Sequence, residues 1–257
     1  MTSSYSFRYL MGALADRFTT YSLDLPGAGR SDAPLEMSYD PSTLGKLVLA
    51  ATRRLGIAGC PIVGNSMGGY VSLWAGLEAP PGCMARLVVI HAPGFPEFRL
   101  SLLGALLGSW VGKRVFDALI SRNPLKWCHT NVHYYDESLK SLEEASEYGE
   151  PLRSSAGKRA LEKYLLETMS IRDIRKFQKI LDERRARGTA FPVPLLLMYA
   201  DRDPMVRPEY GRRYRDLIPE SELVVLSEAS HFAHVDAVDR LLPPLLRFLD
   251  GGRASHE

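Results

Sequence analysis

A serine, a histidine and two aspartates stand in this chain where they could act together on a carbonyl. Ser66 lies in Gly64-Asn65-Ser66-Met67-Gly68-Gly69, after an apolar run and before a helical pattern. A serine on a sharp strand-to-helix turn is held in a strained backbone conformation, with its hydroxyl projecting beyond the end of the sheet. Such a turn crowds the residues two before and two after it, so both should be small; they are Gly64 and Gly68. It also sets Ser66 and the Met67 N–H at a helix N-terminus, where negative charge developing on a reacting oxygen is favoured. The hydroxyl needs a base to take its proton, and the base needs an acid to orient it. Ala200-Asp201-Arg202-Asp203-Pro204 and Ser230-His231-Phe232 each follow an apolar run, in the order serine, acid, histidine along the chain. The predicted chemistry is acyl transfer to water. Ser66 attacks, His231 takes and returns the proton, an aspartate holds the imidazole, and the Met67 N–H stabilises the oxyanion. Asn65, His91 and His234 are the further residues placed to line a pocket. A structural hydrogen bond is the competing role for His91, and packing against a helix start is the competing role for His234.

For these groups to meet, the runs before them must be strands that end at one edge of a sheet. Residues 59–63, 87–90, 194–199 and 223–226 read as apolar strands, as expected of strands buried on both faces. Residues 21–25 form a further short strand, ending in the loop Pro26-Gly27-Ala28-Gly29-Arg30-Ser31-Asp32. Helices are predicted over 7–18, with Phe7, Leu10, Met11, Leu14 and Phe18 on one face, and over 44–55, 67–77 and 240–249. Pro243 and Pro244 are expected in the first turn of the last helix, where proline is tolerated. Strands alternating with helices predict an α/β fold with a mostly parallel sheet flanked by helices. From 95 to 190 no strand appears, and helical stretches at 101–119 and 171–187 dominate. In the second of these, Ile171, Ile174, Phe177 and Leu181 form an apolar stripe among basic residues, which read as a solvated face. The expected organisation is an α/β core of residues 1–94 and 191–257, with 95–190 inserted as a helical lid over the C-terminal ends of the strands.

Composition narrows the classes. The chain has 257 residues, 46% of them apolar, enough for a full core. Its net charge of +2 shows none of the clustering that a nucleic-acid partner requires. Cys60, Cys83 and Cys128 fit neither a disulfide framework nor a zinc pattern, and read as reduced thiols of a cytoplasmic protein. No basic stretch followed by an apolar core opens the sequence, and no apolar run is long enough to span a bilayer. Gly27-Ala28-Gly29 lacks the third glycine of a dinucleotide site, and His129 and His133 lack the intervening glutamate of a zinc helix. No cofactor and no metal is expected. The expected partner is a small-molecule substrate.

Four segments together resemble the α/β-hydrolase superfamily over nearly the whole chain. They are Asp24-Leu25-Pro26-Gly27-Ala28-Gly29-Arg30-Ser31-Asp32, the turn at Ser66, Ala200-Asp201-Arg202-Asp203, and Ser230-His231-Phe232-Ala233-His234. Within that superfamily the lidded esterases and carbon–carbon bond hydrolases are the more similar. There the acid is the last residue of a small-x-x-Asp pattern, which selects Asp203 over Asp201. A serine in the turn separates this chain from the similar epoxide hydrolases and dehalogenases, which carry aspartate at that place. The resemblance implies hydrolysis of a small, mostly apolar ester through an acyl-enzyme. A carbon–carbon bond hydrolase of diketone-type acids is the alternative, because Gly64-Asn65-Ser66-Met67-Gly68-Gly69 is similar to that group's turn. A non-catalytic ligand-binding member is the alternative of another class, and one departure motivates it. The family's His-Gly loop, which supplies a second oxyanion N–H, and three strands would lie upstream of Met1. One of them would sit between the strand ending at Leu25 and that ending at Val63. Those two strands are therefore expected to pair directly or to leave a gap, and a gap would uncover the apolar face of the 7–18 helix and lower stability.

Overall fold

Four of the apolar runs form β1 (Ile62–Asn65), β2 (Leu87–Ile90), β3 (Leu195–Ala200) and β4 (Glu222–Leu226) in a computed structural model that describes residues 2–251. All neighbours are parallel, in the order β1-β2-β3-β4, with Ile62 opposite Leu87, Leu87 opposite Leu195 and Leu196 opposite Glu222. Ahead of β2 stand α1 (Arg8–Leu14), α2 (Pro41–Arg54) and α3 (Met67–Glu78). Between β2 and β3 come α4 (Phe98–Leu107), α5 (Trp110–Arg122), α6 (Pro124–Asn131), α7 (Leu142–Gly149), α8 (Ser155–Lys163) and α9 (Ile171–Ala186). Then follow α10 (Pro208–Leu217), α11 (Ala233–Asp236) and α12 (Val238–Leu249).

A parallel sheet needs cover on both faces, and period-two alternation supplies it. Leu87, Val89, Leu195, Leu197 and Tyr199 pack with Leu73 and Trp74 of α3, Ile174, Phe177 and Leu181 of α9, and Tyr214 of α10. The alternate residues Val88, Ile90, Leu196, Met198 and Ala200 pack with Leu10 and Leu14 of α1 and Leu241, Leu245 and Phe248 of α12. The apolar stripe of α9 is therefore buried against α3 and the sheet side chains.

Several expected elements take a different form. Residues 21–25 make no ladder, and Tyr21 and Leu23 are exposed. No described strand lies beside them to complete the hydrogen bonds, and β1 pairs only with β2 among the described residues. Asp24 instead organises its loop: its carboxylate accepts from the Ser4 and Arg30 N–H groups, and its carbonyl accepts from the Ser31 hydroxyl. The 7–18 helix stops at Leu14, and its apolar face is not uncovered, because Leu10 and Leu14 are buried in the core beneath α12. The strand expected over 59–63 lies later, at Ile62–Asn65, and runs through Gly64, which stands opposite Val89. The 101–119 stretch breaks into α4 and α5, because Ser109 caps α5 by accepting from the Gly112 N–H. Pro243 and Pro244 lie inside α12 rather than in its first turn, because the helix starts at Val238. The buried Leu241, Leu245 and Phe248 hold the helix through that interruption.

Candidate active site

The turn at Ser66 begins with a close approach. A Cβ on Gly64 would lie 2.6 Å from the Gly68 carbonyl oxygen and 2.7 Å from the Ser72 hydroxyl, so only glycine fits. Gly68 itself faces open space; the second tight position is Gly69, where a Cβ would meet the Gly64 carbonyl at 3.0 Å and Ala92 and Val89 at 3.3 Å. The crowding expected at the second residue after the serine thus falls one residue later, where α3 leans on β2. Ser66 has φ 54° and ψ −123°, a left-handed conformation that costs a non-glycine residue about 1–3 kcal/mol. Its N–H donates to the Ile90 carbonyl at 2.7 Å, which ties the turn to β2. Met67 opens α3, so its N–H has no carbonyl one turn back within the helix to bond.

The same ladder continues past the other strands. The His91 N–H donates to Met198, the Asp201 N–H to Leu226 and the Arg202 N–H to Ala229, which brings the loops after β3 and β4 to the edge where Ser66 stands. There His231 bridges two groups. Its Nδ1 lies 2.7 Å from Asp203 Oδ2 and its Nε2 lies 2.8 Å from Ser66 Oγ. Asp203 and His231 are buried, and Ser66 is partly open. Asp203 Oδ1 accepts from the Met205 and Val206 N–H groups at 2.7 and 2.9 Å. With Oδ1 so engaged, Oδ2 is left for the imidazole, and a proton on Nδ1 leaves Nε2 free to accept from Ser66. Burial alone would raise the Asp203 carboxyl; the hydrogen bond and charge of His231 and the Val206 N–H outweigh it and bring it below its ordinary value. Asp201 is exposed and has no part in this chain of bonds.

The remaining pocket candidates separate. His91 is fully buried, has φ 51°, and sits with Nδ1 3.4 Å from Asp203 Oδ2 and its ring 5.5 Å from that of His231. Neither of its ring nitrogens has a hydrogen-bond partner, and burial lowers it to about 3, so it is neutral. His234 is also fully buried, packed between Phe7 and Phe232 with ring centroids at 4.7 and 5.7 Å. Burial lowers it to about 3 as well. Asn65 ends β1, and its Oδ1 is buried without a partner. His129 lies on α6, whereas His133 lies beyond the end of that helix, so the two do not share a helix face. His133 is instead partly buried and precedes Tyr134, whose ring packs edge-on against Phe232 at 5.6 Å, a proximity that spacing gave no reason to expect. Burial, then Lys140 and His231, lower it, and Glu137 and Asp203 act against them. Among the described residues no group of three or more His, Cys, Asp or Glu is placed to hold a metal, and no helix is long and apolar enough to cross a membrane.

Comparison with known proteins agrees with this architecture. The chain is 25% identical over 245 residues to an uncharacterized hydrolase, YugF, of Bacillus subtilis (strain 168), covering 90% of this chain and 80% of the relative. Other relatives and solved structures carry the names of lipases, an esterase and meta-cleavage product hydrolases. The structure of the epoxide hydrolase CorEH superposes with a TM-score of 0.79 at 18% identity, over 97% of this chain and 88% of that one. The 2-hydroxy-6-oxo-6-phenylhexa-2,4-dienoate hydrolase of Rhodococcus sp. strain RHA1 superposes with a TM-score of 0.72 at 22% identity, over 98% and 86%. The family model for the alpha/beta hydrolase fold matches residues 1–238, and on that match the chain belongs to the α/β-hydrolase family.

Proposed function

We propose that the protein is a serine hydrolase that cleaves a small, mostly apolar ester through an acyl-enzyme on Ser66. The observation that carries this reading is the single imidazole of His231, bonded on one side to Ser66 Oγ at 2.8 Å and on the other to Asp203 Oδ2 at 2.7 Å. In the proposed cycle Ser66 Oγ attacks the substrate carbonyl as His231 Nε2 takes its proton. The imidazolium is stabilised by Asp203, and the tetrahedral oxyanion by the Met67 N–H at the start of α3. His231 then returns the proton to the leaving alcohol. A water takes the alcohol's place, His231 deprotonates it, and it releases the acid and regenerates Ser66. Residues 95–190 serve as the lid of this site. Leu103 and Leu107 of α4 and Phe116 and Ile120 of α5 share one apolar cluster with Phe232, the residue after the base, which supports apolar cover beside the reacting groups. The three free cysteines support a reducing, cytoplasmic setting.

A fluorophosphonate probe tests the reading. Labelling of Ser66, its loss in Ser66→Ala, and turnover of p-nitrophenyl esters by the native chain alone are the expected results. Turnover of a vinylogous diketone acid in place of the esters would replace ester cleavage by carbon–carbon bond cleavage. Binding of the ester without labelling or turnover would leave a ligand-binding protein.

A further inference from the structure

The pair α4 and α5 is apolar on two sides. Its inner side is accounted for by Leu107, Phe116 and Ile120, buried in the cluster that includes Phe232. Its outer side is covered by none of the described residues. On α4, Phe98 and Leu102 stand one turn apart and are 81% and 61% exposed, followed by Leu106 a turn later. On α5, Val111, Val115 and Leu119 repeat the same spacing, each about half exposed. Trp110, 71% exposed, stands at the corner where the two helices join. A helix that is hydrophobic all round requires cover on every side, and a run of this size exposed on one element marks a place where something binds.

Charge identifies the partner. Lys113 and Asp117 of α5 are paired with Glu162 and Lys158 of α8, at 2.6 and 2.9 Å. The cations left over are Arg114 and Arg122, three residues after Val111 and after Leu119, and so on the outer face itself. Neither makes an ion pair or hydrogen bond to a described residue. The acids on or beside these helices are engaged elsewhere: Asp117 with Lys158, and Glu97 with Arg99 and the Tyr210 hydroxyl. A second copy presenting the same face in a two-fold contact would press guanidinium groups into an apolar interface with no free carboxylate to meet them. An anionic lipid surface supplies both partners at once: acyl chains for the leucines, valines and tryptophan, and phosphate or carboxylate headgroups for the arginines.

We propose that the outer faces of α4 and α5 dock this protein on an anionic lipid surface. Docking would bring lipid against helices whose inner side chains belong to the apolar cluster that also holds Phe232, the neighbour of His231.

Co-sedimentation of the full chain with phosphatidylcholine vesicles, with and without phosphatidylserine, tests this without reference to turnover. The expected result is partition onto the phosphatidylserine vesicles that weakens as salt is raised. Leu102→Glu with Val115→Glu should abolish it. Arg114→Gln with Arg122→Gln should lower it about 30-fold on the anionic vesicles and leave binding to phosphatidylcholine alone unchanged. Both double variants should keep the native rate on a short soluble ester, which shows that they fold. No partition at low salt would overturn the proposal, as would arginine variants that bind undiminished. A chain that dimerises, and that the glutamate variants render monomeric without any vesicle binding, would assign the face to a second copy. Because binding is read without catalysis, failure here leaves the reading of Ser66 intact, and unlabelled Ser66 leaves the docking result intact.

Discussion

Replacing Asp203 by asparagine separates the role of this carboxylate from mere packing. Oδ1 would remain bonded to the Met205 and Val206 N–H groups, which are 2.7 and 2.9 Å away in the native chain. Those two donors require an oxygen, so the amide nitrogen of asparagine must take the position of Oδ2, 2.7 Å from His231 Nδ1. Two N–H groups cannot face each other there. His231 therefore shifts its proton to Nε2 and accepts from the amide through Nδ1, and Nε2 then points a proton at Ser66 instead of a lone pair. The side chain stays in place and the base is lost. A mis-set tautomer of this kind costs about 10⁴ in rate, close to 5.5 kcal/mol of barrier. The assay is kcat/KM for a p-nitrophenyl ester across pH, with fluorophosphonate labelling alongside. Asp203→Asn should lose about four orders of magnitude while its melting temperature barely moves, and Asp201→Asn should stay within about twofold of native because Asp201 is exposed. A rate for Asp203→Asn within tenfold of native, or an equal loss in Asp201→Asn, would refute the assignment of the acid.

Three further outcomes follow from particular contacts. Gly64→Ala should cost at least about 1–3 kcal/mol in a urea melt, because its Cβ would lie 2.6 Å from a backbone oxygen, whereas Gly68→Ala, facing open space in the first turn of α3, should be neutral or stabilising. His91 and His234, held near 3 by burial, take up protons only on unfolding as pH falls below their ordinary 6.5. Stability is thus full above about pH 6.5 and is lost progressively below it, and His234→Phe should flatten that loss in melts run between about pH 7 and pH 5. Asp236 is raised by burial from 3.8 to about 6, and the hydrogen bond it accepts from the Tyr135 N–H only partly opposes this. Its cost to the fold is absent below about pH 3.8 and complete above about pH 6. Asp236→Asn, which can still accept that bond, should therefore be more stable than native at pH 8, by about 1–2 kcal/mol once water screening of this partly open group is allowed for, and should show no gain at pH 4.

Much of this arrangement is visible in the sequence because it rests on local patterns. The apolar runs ending near Val63, Ile90, Tyr199 and Leu226 correspond to the four strands; β2 and β3, buried throughout, admit no polar residue, while β1 and β4 at the ends of the sheet are only partly covered. Gly64 could be read as a close approach for the same reason. What eluded the pattern depends on distant partners. Residues 21–25 have the composition of a strand, yet a strand exists only where another backbone meets it, and none of the described ones does. That Gly69 rather than Gly68 is the crowded position depends on how α3 leans on Val89 and Ala92. Leu10 and Leu14 show an apolar face but not that α12 lies across it. His133 carries no periodic signal, and only the path of the chain after α6 brings it toward His231.

The backbone strain has a distribution of its own. Among the described residues the non-glycine residues with positive φ are Ser66, His91 and Glu228. Ser66 follows β1, His91 follows β2, and Glu228 follows β4, just before the loop that carries His231. Each such conformation costs on the order of 1–3 kcal/mol, and none persists unless neighbouring structure enforces it. Here neighbouring elements do so: cross-strand bonds hold the Ser66 N–H to Ile90 and the His91 N–H to Met198, and the Arg240 guanidinium of α12 donates to the Glu228 carbonyl. A sheet that served only as scaffold would have no reason to place its costly residues at one end. Ser66 and His91 stand at the C-terminal edge beside the hydrogen-bonded chain that links Ser66, His231 and Asp203, where bent strand ends aim their side chains at one point; Glu228, exposed and paired with Arg240, opens the loop that brings His231 to them. His91 fits that account even without a bond of its own. It fills the space behind Asp203 and His231 with a neutral ring, which keeps water from the carboxylate and leaves His231 as the only strong donor to Oδ2.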